Sequence, residues 1–321
     1  MIKQINFYMM NTLLLMILML IMTLLSVAFL TLMERKILSY SHYRKGPNKI
    51  SMMGIMQPFS DAMKLLTKEF FIPFKSNYFM YLMSPMLMFF LIMSSWLVYP
   101  FLTNMLNWSL NSIFFLCMMS MGIYGLMISG WASNSAFSMI GAIRSIAQSI
   151  SYEVTFSISF LISFLMINTL NLNMIPFYQK YMIMFSLLWP VSMVLLFSML
   201  AEINRTPFDL SEGESELVSG FNVEYSSSGF VLIFLSEYAS IMFMMFLFNI
   251  LYFSLNMYSI MFYLTFFLLL FLIIWIRTSY PRIRYDYLMM YCWMYLLPLI
   301  LMFMMIYMLN LKLPLEIYLF N

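Results

Sequence analysis

The chain has 321 residues, of which 64% are hydrophobic and 9% charged, and its formal net charge is +3. A soluble globular protein carries about 25% charged residues, so this composition excludes a water-facing surface and predicts an integral membrane protein. One histidine (His42) and two isolated cysteines (Cys117 and Cys292) exclude a haem pair, an iron–sulfur cysteine set or a zinc set built from this chain alone, and no glycine-rich phosphate loop or dinucleotide fingerprint occurs.

The apolar runs are long and continuous and do not alternate with period two, which predicts helices and not strands. A bilayer core of roughly 30 Å takes about 20 helical residues. About eight runs fit, near 9–33, 77–102, 109–131, 145–168, 181–201, 229–252, 256–276 and 287–309. The expected fold is an all-α bundle of about eight transmembrane helices, forming one domain over 1–321. The first run exceeds a signal-peptide core of roughly 7–15 residues and no small-residue cleavage site follows, so it is expected to be retained as a span. No internal repeat is visible, which weakens a reading as an inverted-repeat transporter.

Loops 34–76, 132–144, 202–228 and 277–286 share one side of this arrangement. They hold Arg35, Lys36, Arg44, Lys45, Lys49, Lys64, Lys68, Lys75, Arg144, Arg205, Arg277, Arg282 and Arg284, whereas Lys3, Lys180 and Lys312 fall on the other. Basic residues concentrate on the non-translocated side, so both termini are expected to lie opposite it. Within the longest loop, "IMQPFSDAMKLLTKEFF" starts from Pro58 and spaces Phe59, Ala62, Met63, Leu66 and Phe70 helically, with Asp61, Lys64 and Lys68 elsewhere. That pattern predicts an amphipathic helix at the membrane surface after the first span.

Two acids fall within expected spans: Glu153 in "RSIAQSISYE" and Glu237 in "FLSEYASIMF". A charge at a helix centre costs about 2.5–3.5 kcal/mol on insertion scales, so such groups mark a polar pathway or a hydrogen-bonded link between helices. Glu202 closes the fifth span, and "LAEINRTPFDLSEGESELVSGFNVEY" then gathers Asp209, Glu212, Glu214, Glu216 and Glu224 around Arg205. Like charges and partial burial raise loop carboxylate pKa values, and a rise of about three units is worth roughly 4 kcal/mol. Moving one charge through the membrane potential costs about 2.3 kcal/mol per 100 mV. The two energies are of one order, so acids of this kind are able to gate proton movement; a solvated acidic loop that docks a basic partner is the alternative.

The strings "ERK" with "RKGPN", "QPFSDAMKLLTKE", "GWASNSAFSMIGAIRSIAQSISYE", "LAEINRTPFDLSEGESELVSGFNVEY" and "YPRIRYD" occur in that order. Their sequence along the chain closely resembles the subunit 1 family of mitochondrial NADH–ubiquinone oxidoreductase, respiratory complex I. The resemblance runs from the first span to the last. It implies a core membrane subunit of the mitochondrial inner membrane, under the peripheral arm, with the charged loops on the matrix side and both termini on the intermembrane-space side. Ubiquinone is the implied substrate, with iron–sulfur clusters and FMN confined to partner subunits. The implied partners are quinone-reducing peripheral-arm subunits, neighbouring small and antiporter-like membrane subunits and membrane lipid, with no nucleic acid.

The resemblance further implies a proton path through Glu153, Glu202, Asp209, Glu212, Glu214, Glu216, Glu224 and Glu237. It places Arg35, Arg44, Phe59, Asp61, Arg205, Arg282 and Arg284 near a quinone tunnel. The chain departs from the family pattern at His42 (glutamine in relatives), Ser51 (glycine), Ala136 (lysine) and Met294 (lysine). Two other functions stay open on the residues alone: a stand-alone proton-coupled transporter, and a structural anchor for the peripheral arm.

Overall fold

The computed structural model describes residues 2–100, 108–180, 182–211, 213, 220–253 and 257–320. Long apolar stretches become helices because a membrane interior leaves backbone polar groups no partner but each other. The chain starts with α1 (Ile2–Ser41), followed by a short α2 (Gln57–Leu66). Then come α3 (Tyr78–Ser95), α4 (Asn111–Ala132), α5 (Ala136–Leu165) and α6 (Trp189–Glu202). α7 (Ser227–Tyr252) and α8 (Ile260–Ser279) follow. α9 (Tyr285–Met290) runs through a π-helical turn (Tyr291–Leu296) into α10 (Leu297–Phe320). Helix makes up 77% of the structure, and no strand occurs among the described residues.

Six of these helices are long and apolar enough to cross a membrane: Met9–Ser41, Tyr78–Val98, Asn111–Ala132, Ser227–Tyr252, Ile260–Ser279 and Tyr285–Leu311. The two further expected spans coincide with α5 and α6. α6 has 14 residues. α5 has 30, but its apolar face is interrupted by serines, Arg144, Gln148 and Glu153. All of those serines but Ser157 are buried, and their hydroxyls return to carbonyls of their own helix, as from Ser145 to Ala142 at 2.8 Å and from Ser159 to Phe156 at 2.9 Å. This local bonding lets polar residues sit inside an apolar bundle without orphaned donors.

The core lies where α5, α6 and α7 are enclosed by the others. Phe115 on α4 meets Phe160 on α5 (ring centroids 5.5 Å apart) and Phe243 on α7 (5.4 Å). α4 and α5 approach unusually closely at Gly130, where an added Cβ would stand 2.2 Å from that of Ala142. The expected amphipathic helix is α2, which packs on α1 and α7. Pro58 sits in its first turn, where the missing N–H costs no hydrogen bond. An edge-to-face contact between Phe29 and Phe59 (6.0 Å) and an ion pair from Arg35 to Asp61 fasten α2 to α1. Ser51, where the resembling family has glycine, takes a backbone φ of +57°, a region that side chains other than glycine adopt at a cost of about 1–3 kcal/mol.

Candidate functional site

Glu34 follows the uncharged run of α1 and is 7% exposed. Its carboxylate accepts hydrogen bonds from the Tyr238 hydroxyl of α7 and from the Arg277 guanidinium in the last turn of α8. Arg205, in the turn after α6, approaches the same carboxylate at 3.9 Å and lies over the Tyr238 ring, 4.6 Å from its centroid. Four elements thus meet at one carboxylate. Two guanidiniums against one acid leave the cluster with a net positive charge, set in a small cavity of about 20 Å³ walled by Leu30, Ile241, Leu270, Ile273 and Ile274.

A second cavity of about 90 Å³ lies on the other side of Arg205. Glu202 and Glu237 face it together with Arg205, and Ser95, Ser149, Ser211, Ser236 and Ser240 supply hydroxyls. A buried water needs roughly 10–15 Å³ and two to four polar partners, so this space accommodates a short file of waters. Glu202 Oε2 is buried without a hydrogen-bond partner in the protein, an arrangement that a charged carboxylate tolerates poorly in the absence of water. Glu153, one turn beyond the cavity-lining Ser149 on α5, is within electrostatic reach of Glu202. The division between the two cavities follows from helix geometry: Glu237 and Tyr238 are successive residues of α7, about 100° apart around its axis, so they face different neighbours.

The turn that carries Arg205 is held by its surroundings. Gln148 Nε2 on α5 donates to the carbonyls of Ala201 and Phe208, both at 2.8 Å. Arg282 pairs with Asp209 at 3.2 Å, and the Ile283 amide donates to the Pro207 carbonyl at 3.0 Å. Past the acidic stretch, Tyr225 stacks on Tyr81 (4.4 Å between centroids), and its hydroxyl pairs with Ser84 at 2.8 Å. Burial pushes that hydroxyl up to about 12, against a smaller lowering by Ser84, so it stays a neutral hydrogen-bonding group. Tyr81 in turn donates to the Glu224 carbonyl at 2.7 Å.

Of the residues singled out in the sequence, the structure brings Glu202, Glu237 and Arg205 to one cavity, with Glu153 nearby, and pairs Asp209 with Arg282 and Arg35 with Asp61. Glu224 is half-buried, and Arg44 is exposed. Arg284 lies at the surface beside Asp286. His42, Ala136 and Met294 are exposed as well. Glu212, Glu214 and Glu216 lie outside the described residues. Sequence reasoning missed Glu34, Tyr238, Arg277 and Gln148. Glu34 and Arg277 sit at span ends, where charges read as ordinary flanks; an acid directly after 25 uncharged residues (9–33) was the one signal. Among the described residues no group of three His, Cys, Asp or Glu side chains converges to hold a metal.

A bundle of membrane-length helices that places carboxylates and the Arg205 guanidinium around two internal cavities defines an integral membrane protein with charged groups inside its hydrophobic interior. Residues 14–308 match the model of the NADH dehydrogenase family. The chain is 46% identical over 283 residues to the NADH-ubiquinone oxidoreductase chain 1 of Aedes aegypti, covering 88% of this chain and 90% of that one. The protein of the same name from Anopheles gambiae is 47% identical with the same coverage. That of Locusta migratoria is 46% identical, covering 90% of this chain and 92% of its own. The chain belongs to the NADH dehydrogenase family.

Proposed function

We propose that this chain is a core membrane subunit of NADH–ubiquinone oxidoreductase in the mitochondrial inner membrane. In this reading it borders the passage that ubiquinone enters and couples quinone reduction to proton movement through buried acids. One observation carries the coupling: Arg205 lines both cavities, the Glu34–Tyr238–Arg277 cluster on one side and the Glu202–Glu237 space on the other. A charge change near the cationic cluster therefore acts on the acids through a single guanidinium that both cavities share.

The electrons would come from iron–sulfur clusters and FMN held by partner subunits, since this chain offers no ligand set for either. The residues of this chain do the rest. Two cations around Glu34 act through their field on the negative charge that develops on a reduced quinone head outside the cluster, whose own cavity of about 20 Å³ is too small for the ring. Tyr238 donates its hydroxyl proton to Glu34 and so holds that carboxylate in place against the two guanidiniums. The anionic quinone offsets the positive balance and its protonation restores it, which changes the field at Glu202 and Glu237, and waters in the cavity that those acids line carry the proton from one acid to the next. Glu212, Glu214 and Glu216 extend the path on the matrix side, where the charged loops face, with both termini on the opposite side. α2, with its ion pair to α1, flanks the mouth that admits the long apolar tail.

The test uses Glu202→Gln and Glu237→Gln in the assembled complex, with quinone reduction and proton translocation measured side by side. Both variants should assemble, as judged on a native gel, and lose translocation. Wild-type reduction and pumping in both would refute the coupling role. Failure to assemble with normal specific turnover in the residual complex would favour the structural anchor, and proton flux by the purified chain alone would favour the transporter.

A further inference from the structure

We infer that the groove between α8 and the α9–α10 segment is a resident phospholipid site, which takes one acyl chain along its length and seats the headgroup phosphate beside Arg284. α8 and α9 are joined by the segment 280–284, extended at Tyr280 and Arg284, and beside them lies an apolar space of about 760 Å³, floored by Leu200 and Phe208. Leu272 and Ile276 wall it on one side and Leu288 and Leu296 on the other. The space belongs to neither cavity described above.

Three features select a lipid over a helix of another protein. Membrane helices pack against each other through small residues that let backbones approach; among the described lining residues Ser279 alone is small, and the rest are bulky aliphatic, aromatic or proline side chains. The rim at the charged end is aromatic, with Trp275, Tyr280 and Tyr287 all more than half exposed, as expected of rings at headgroup level. Arg284 lies between the lining residues Ile283 and Tyr287, and its side chain is 76% exposed. Its pairing with Asp286 (3.1 Å, 69% exposed) is a surface ion pair of about 0–1 kcal/mol, so a phosphate displaces it at little cost. An aliphatic trough ending in tyrosine hydroxyls and an exposed guanidinium matches the polarity of a phospholipid from tail to phosphate.

The assembled complex is purified from membranes fed a phospholipid that bears a diazirine in one acyl chain, washed by repeated detergent exchange, irradiated and mapped by peptide mass spectrometry. Label should persist on 272–280 and 287–296 after it has washed away from the lipid-facing apolar run of α1. Ile276→Trp should fill the trough and abolish retention, and Arg284→Gln should lower it several-fold. Label that is spread evenly over α1 and the groove, or that washes out of both, would reduce the site to ordinary annular lipid and overturn the proposal. So would peptides 272–280 and 287–296 that carry less label than α1 before washing, since another polypeptide would then occupy the groove. If Ile276→Trp does not assemble, the wild-type map decides alone. Quinone turnover is not a readout, so this result is independent of the proposed function.

Discussion

Replacing Glu34 by glutamine keeps the side chain's size and removes its charge, leaving Arg205 and Arg277 facing each other with no acid between them. At 3.9 Å and an effective dielectric of about 20, the Arg205–Glu34 attraction alone is about 4 kcal/mol. The Arg205 and Glu34 side chains are 12% and 9% exposed, so water recovers little of this; Arg277, at 34%, is partly rehydrated. Removal of one partner from a buried pair costs about 3–5 kcal/mol, and the exposure of Arg277 places the expected loss near about 3 kcal/mol. The assay is the thermal inactivation rate of quinone reductase activity in the purified complex for wild type, Glu34→Gln, Arg277→Gln and the double variant. The single Glu34 variant should inactivate up to about 100-fold faster, at roughly 1.4 kcal/mol per factor of ten. The double variant restores charge balance and should recover at least about 1 kcal/mol of that loss, because paired residues couple by about 0.5–3 kcal/mol. Strict additivity of the two substitutions, or wild-type inactivation by Glu34→Gln, would show that no such ion pair organises the site.

Two further outcomes follow from packing. Gln148→Ala removes the amide that bridges the carbonyls of Ala201 and Phe208, which keep the Asn204 and Leu210 amides as donors, and each lost hydrogen bond costs about 0.5–1.5 kcal/mol; the expected result is a drop in assembled complex on a native gel, with Gln148→Glu no rescue because it lacks the donor. Gly130→Ala drives a methyl group to 2.2 Å from the Ala142 Cβ, so α4 and α5 must separate at a cost of about 1–3 kcal/mol, read as a lower inactivation temperature that Ala142→Gly in the same chain partly restores.

Much of the architecture was legible in the sequence because hydropathy is a local property: each long apolar run is self-sufficient in backbone hydrogen bonds, whatever its neighbours. The helix at Gln57–Leu66 was readable for the same reason, from helical spacing after Pro58. α5 and α6 were harder. One face of each packs inside the bundle, where their polar residues are tolerated although they lower the apolar signal, while Ile143, Ile150, Trp189 and Phe197 lie on the exposed face. Glu202 and Glu237 stood out as acids embedded in or next to oil, and both line the larger cavity. Glu34 did not, since an acid beside Arg35 and Lys36 looks like any charged span end.

Sequence alone determined that the chain is a helical membrane protein, where its apolar helices lie and which loops gather the charge. Tertiary structure decided which charges meet. Glu34 joins Tyr238 from 204 positions away and Arg277 from 243. Such a meeting depends on which helices are neighbours and on how each is rotated about its axis, and a one-residue change in that rotation, about 100°, turns Tyr238 away and Glu237 in. No local run of residues encodes those two quantities; the packing of the whole bundle sets them.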